Sequence, residues 1–134
     1  MADKSTMGPT GPRVERTYRA EGGALVRGQA VIPGTAEDQV KTPAAVATGN
    51  LKVVGICAEA AAAAGDPVRV VEHGECVMIA GGVVAPGDAL STVGVDGRVD
   101  ATTTDNDGIF GVAKSAAAAD GDEFVGFVRG PSRY

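Results

Sequence analysis

The chain has 134 residues, a formal net charge of -5 and a hydrophobic fraction of 44%, enough for one domain with a buried core. Twenty glycines, nineteen valines, five aromatic side chains and no tryptophan favour short strands and tight turns. Residues 1–20 carry a net +2 and the rest of the chain a net -7, which excludes a broad basic surface for nucleic acid.

Residues 1–20 are polar, hold Pro9 and Pro12 within Gly8-Pro9-Thr10-Gly11-Pro12-Arg13, and show neither helical nor strand periodicity. They read as a flexible, extended N-terminal arm. If the arm orders on a partner, its contacts are Arg13, Arg16, Tyr18 and Arg19. The first residues show no apolar signal region, and no apolar run reaches the length of a membrane span. A soluble protein without an export signal or membrane partner is therefore expected. Cys57 and Cys76 are too few for a disulfide framework, so free buried thiols in a reducing setting are expected.

The β-domain is expected over residues 21–130. Ala24-Leu25-Val26 and Ala30-Val31-Ile32 are short apolar runs, the second closed by Pro33-Gly34, and predict two small strands or one bent strand. Residues 35–50 predict a loop, with one short strand or turn near residues 44–47. Strands are expected at 51–58 and 67–72, with Pro67 able only to start or edge a ladder. His73-Gly74 then predicts a hairpin turn into a strand at 75–80. Pro86-Gly87-Asp88 is a turn signal, and Asp96-Gly97 is a favoured two-residue hairpin turn between 91–95 and 98–101. An Asp-rich loop follows, then strands at 109–114 and 124–128, and a short tail at 131–134.

One stretch occurs twice. Residues 53–74 and 109–130 align without a gap at an offset of 56 residues, placing Gly55 on Gly111 and Gly65-Asp66 on Gly121-Asp122. Two copies are too few for a solenoid, so they predict one pseudo-symmetric β-domain. Residues 60–64 and 116–119 are alanine-rich, but such runs are too short to repay helix nucleation. They predict a packed loop or a single turn. The fold class is thus all-β, a small β-barrel or β-sandwich of short strands with a flexible arm.

Candidate chemistry is sparse. His73 and Cys76 form a His-x-x-Cys pair, but a metal site or an activated thiol needs more partners than this spacing supplies. Asp105, Asn106, Asp107 and Gly108 lack the remaining spacing of a calcium loop and the distal Glu. The three Gly-Asp pairs at 65–66, 87–88 and 121–122 fit turns in which Asp bonds backbone amides two residues on. Residues 83–90 resemble the turn of a biotinyl or lipoyl carrier domain. No lysine lies between Lys52 and Lys114, so the residue to be modified is missing. No catalytic residue, metal or cofactor is expected.

The order of motifs carries a resemblance. Val54-Gly55-Ile56-Cys57-Ala58 precedes an alanine crossing and Gly65-Asp66-Pro67-Val68-Arg69-Val70. Pro86-Gly87-Asp88-Ala89-Leu90, Asp96-Gly97-Arg98-Val99, a Thr run and the stretch 109–122 follow. Over roughly residues 22–130 this resembles the small capsid decoration (cement) proteins of tailed bacteriophages. The resemblance implies a β-rich homotrimer on the outer surface of an expanded head, where it clamps neighbouring major capsid protein subunits. It carries over no catalytic residue. The alternative is a virion fibre or tail-associated module that recognises a host surface or glycan.

Overall fold

A computed structural model describes residues 13–43, 52–92, 94, 96–103 and 108–129. Among these residues there is no helix, and nine strands follow in order. They are β1 (Val14–Ala20), β2 (Ala30–Pro33), β3 (Gln39–Lys41), β4 (Gly55–Cys57), β5 (Pro67–Ile79), β6 (Ala89–Ser91), β7 (Asp100–Thr102), β8 (Gly111–Ala113) and β9 (Glu123–Val128). The order β1-β3-β2-β4-β5 closes on itself because β5 also pairs with β1, giving a small five-stranded barrel. The all-β expectation holds, and the architecture is a barrel.

The remaining strands repeat that barrel. The second half of β5 pairs with β9, β9 with β8, β8 with β6 and β6 with β7. A single parallel bridge between Ala80 and Val99 returns the order to β5. Pairing registers match between the halves. Ala30 faces Ile56 as Ala89 faces Val112, and Val31 faces Gly55 as Leu90 faces Gly111. Even the closing contacts recur. Ala20 donates to Asp66 O at 2.9 Å and Ala80 to Asp122 O at 2.8 Å. The duplication thus spans the whole β-body rather than residues 53–74 and 109–130 alone.

Its interior is duplicated too. Tyr18, Leu25, Val31, Cys57 and Val68 fill the first barrel, while Met78, Val84, Leu90, Ala113 and Phe124 occupy the same places in the second. Volume is redistributed between neighbours, as a close-packed core requires. Where the first barrel has Val70, the second has Gly126, and a Cβ there would stand 2.6 Å from Met78 Sδ. The recurring glycine of the repeat has a different cause. A Cβ on Gly55 would lie 2.1 Å from Val71 O, and one on Gly111 would lie 2.2 Å from Phe127 O.

Three expectations are corrected. The arm is not free up to residue 20, because Val14–Ala20 is β1 and pairs with β5 over Val14–Arg19. Its charges hid a strand. Glu15 takes Arg13 at 2.7 Å and Arg69 of β5 at 3.2 Å, while Tyr18 and Ala20 turn inward and are buried. Residues 1–12 lie outside the described residues. Second, His73-Gly74 is no hairpin turn, since Pro67–Ile79 is one strand. Gly74, at φ +120°, marks the point where β5 leaves β1 and β4 for β9. Both halves of β5 find partners, so the chain bends instead of reversing. Third, β3 lies inside the expected loop, and residues 44–47 fall outside the described residues.

A fourth correction falls at Asp96-Gly97. The strands expected around it do pair antiparallel as β6 and β7, but not through a two-residue hairpin: their ladder ends at Ser91 and Asp100, and residues 92–99 connect them. Gly97 is at φ +74° while Asp96 is not at positive φ; residues 93 and 95 are outside the described set. The alanine-rich crossings are irregular. Ala61 and Ala117 are buried and bridge Leu25 and Val84, respectively. The Gly-Asp pairs are turns, but each aspartate bonds the amide three residues before it. Asp66, Asp88 and Asp122 accept from Ala63, Ala85 and Ala119 at 3.1, 2.9 and 3.2 Å.

Candidate functional site

Of the candidate contacts of the expected arm, Arg13 lies just before β1 and Arg16, Tyr18 and Arg19 lie in it, and they divide into two groups. Arg13 and Tyr18 are used by the fold. Arg13 donates to Glu75 O at 3.2 Å besides its ion pair with Glu15. Tyr18 lies inside the first barrel, and its hydroxyl donates to Glu72 Oε2. Burial, then the bond to Glu72, raises its pKa, so the phenol stays protonated. Arg16 and Arg19 are exposed. Arg19 pairs with Asp38 at 3.3 Å, with both side chains more than 60% exposed, a contact of little strength.

Where the barrels meet, a cleft of about 190 Å³ is lined by Arg13, Arg27, Cys57, Ala58, Cys76 and Val77. Arg27 is held by Glu123 at 3.3 Å, so both cations of the cleft already have carboxylate partners. Both cysteines are buried, and burial pushes each thiol up to about 12. A thiol held protonated is neither a nucleophile nor a metal ligand at neutral pH. His73 is exposed and sets its ring edge-on to Phe127 at 5.2 Å, whereas Cys76 faces inward. The His-x-x-Cys pair is therefore not assembled. Among the described residues no group of His, Cys, Asp or Glu could hold a metal ion. Asp105, Asn106 and Asp107 lie outside them.

Charge is divided between the barrels, a feature obscured when the chain is split at residue 20. Residues 13–73 hold seven basic and seven acidic side chains, while residues 74–129 hold three basic and nine acidic ones. The first barrel is neutral and the second carries the acidity. Among the described residues the exposed large apolar side chains are few: Val14, Val26 and Val83. What the surface offers is non-covalent binding, with a basic edge at Arg16 and Arg19 and an acidic second barrel.

No protein-family model and no curated protein matches this sequence. Among solved structures, the chain is similar to the crystal structure of the head fiber gp8.5 N base of bacteriophage phi29. The TM-score is 0.61 at 23% identity, over 92% of this chain and 100% of that one. At that identity the likeness is one of fold.

Proposed function

We propose that this protein is a structural component of a tailed-bacteriophage virion, bound to the outside of the head. There it acts as a decoration (cement) protein that clamps neighbouring major capsid subunits after the shell expands. The observation that carries this reading is the likeness of fold, across nearly the whole chain, to a protein described as a phage head fiber base. The order of motifs over residues 22–130 supports it independently.

On this reading the protein works by binding alone, as a homotrimer, without cofactor, nucleic acid or catalysis. A rigid β-body that touches several subunits at once turns weak contacts into tight attachment through effective concentration. Arg16 and Arg19 are the exposed cations offered to the shell. A second reading, the base of a head fibre, draws on the same likeness. Co-sedimentation of the purified protein with expanded and unexpanded heads separates the two. Cement binds expanded heads in many copies per particle and unexpanded heads weakly, whereas a fibre base saturates at few copies. Failure to bind either kind of head overturns both readings.

A further inference from the structure

Four turns among the described residues are built alike. Each holds a glycine near the same positive φ: Gly28 at +95°, Gly65 at +88°, Gly87 at +91° and Gly121 at +92°. The residue after the glycine is Gln29, Asp66, Asp88 or Asp122. Its side-chain oxygen accepts from the amide three residues back, and its own amide donates to that residue's carbonyl. Its carbonyl then accepts from a facing residue, Cys57, Ala20, Ala113 or Ala80, at 2.8–2.9 Å, and the glycine donates back to the same residue's carbonyl. Each barrel therefore holds the unit twice.

One of the four departs from the rest in sequence and in surroundings. Three carry aspartate, and at Gly65, Gly87 and Gly121 an added Cβ would have nothing within 4 Å. The first carries glutamine, and a Cβ on Gly28 would stand 2.8 Å from Ile79 Cγ1 of the second barrel. Contacts to the second barrel run along this turn residue by residue. Arg27 meets Glu123 at 3.3 Å, Gly28 O accepts from the Ile79 amide at 3.1 Å, and Ala30 donates to Gly97 O at 2.8 Å.

Gln29 stands in the middle of this row and is bonded on both sides. Its Oε1 accepts from the Val26 amide at 2.8 Å, the turn's own bond, while its Nε2 donates to Asp96 O at 2.7 Å. The two partners, a donor and an acceptor, leave the side-chain amide one orientation. An aspartate supplies the first bond but has no donor for the second. The apolar part of the contact gives no such direction. Ala30, Ile56 and Val71 of the first barrel share a buried cluster with Met78, Leu90 and Phe124 of the second, and burial of this kind is non-directional.

We propose that Gln29 is the latch between the barrels: its Oε1 keeps the turn, and its Nε2 makes this turn, of the four built alike, the one that holds the second barrel. The latch is independent of what the assembled body binds.

Native-state hydrogen exchange of the full chain, read amide by amide by NMR at neutral pH, tests it with Gln29→Asp and Gln29→Glu. Both variants keep an oxygen for the Val26 amide and lack a donor for Asp96 O at that pH. Aspartate is also what the other three turns use, so the turn survives. The control is Asp88→Ala, at the counterpart of Gln29 in the second barrel, which deletes a turn bond and no bond between barrels. In both Gln29 variants the protection factor of the Ile79 amide, which bonds Gly28 O across the contact, falls about threefold to tenfold, the worth of one hydrogen bond. The Ala30 amide follows it. In Asp88→Ala both amides keep their wild-type protection, because parting the barrels leaves that turn intact. Wild-type protection of Ile79 in either Gln29 variant, or an equal loss in Asp88→Ala, would overturn the proposal.

Discussion

Replacing Gly55 by alanine is the sharpest test of how the barrels are built. The added Cβ would stand 2.1 Å from Val71 O and 2.9 Å from Val70 Cγ1. Close carbon–oxygen contacts between strands run at about 3.3–3.6 Å, so something must move by more than about 1 Å. Neither side yields easily. Val71 is fully buried and sits in β5 between β1 and β4, and Gly55 is paired with Val31 of β2. Overpacking usually costs about 1–3 kcal/mol, and a clash with backbone in a closed barrel belongs at the top of that range or above. Gly111→Ala meets Phe127 O at 2.2 Å and should cost a similar amount. Gly65→Ala is the control. Gly65 has φ +88° and nothing within 4 Å of an added Cβ, so only left-handed backbone strain applies, about 1–2 kcal/mol. Urea unfolding of the three variants reads the difference as a shift in midpoint at constant slope. If Gly55→Ala costs under about 1 kcal/mol, or less than Gly65→Ala, the close strand approach is wrong.

Three further outcomes follow from named residues. Deleting residues 1–12 leaves β1 whole and should preserve the cooperative thermal transition, whereas deleting 1–20 removes a barrel strand and should abolish it; equal stability of the two truncations would contradict the assignment of β1. Cys57 and Cys76, with thiols pushed up to about 12, should resist thiol reagents at pH 8 until the protein is unfolded, and rapid labelling of the native protein would refute their burial. These raised values, with that of Tyr18, set the alkaline limb. Each protonated group stabilises the fold below its ordinary pKa, and that contribution is lost as pH rises toward the folded value, from about 9 to about 12 for the thiols. Thermal melts across this range should therefore fall in Tm, and Tyr18→Phe should remove the phenol's part of the fall. Finally, Asp88→Ala deletes the bond to the Ala85 amide and should cost about 1 kcal/mol by urea unfolding, with Asp122→Ala behaving alike.

The strand-rich class and the turns were legible because valine and glycine carry those signals locally. The Gly55/Gly111 echo was legible because both positions meet the same obstacle, a carbonyl on the next strand. The full duplication was not. From β4 onward the halves keep one offset, but Leu25 matches Val84 and Ala20 matches Ala80, so loops of unequal length break the alignment. Gly28-Gln29-Ala30-Val31 against Gly87-Asp88-Ala89-Leu90 was the remaining trace. β5 misled for another reason. His73-Gly74 has turn composition, and only long-range pairing with β1 on one side of Gly74 and with β9 on the other makes it continuous. Tyr18 shows the limit for candidate contacts, since a tyrosine among arginines reads as a surface residue until its strand partner is known.

The measurement that bears most directly on the central claim is cryo-electron microscopy of expanded, undecorated phage heads mixed with this protein. Added density is expected on the outer surface at the junctions between major capsid subunits, into which the two-barrel body fits. Heads without added outer density at saturating protein, or density confined to the tail, would contradict it.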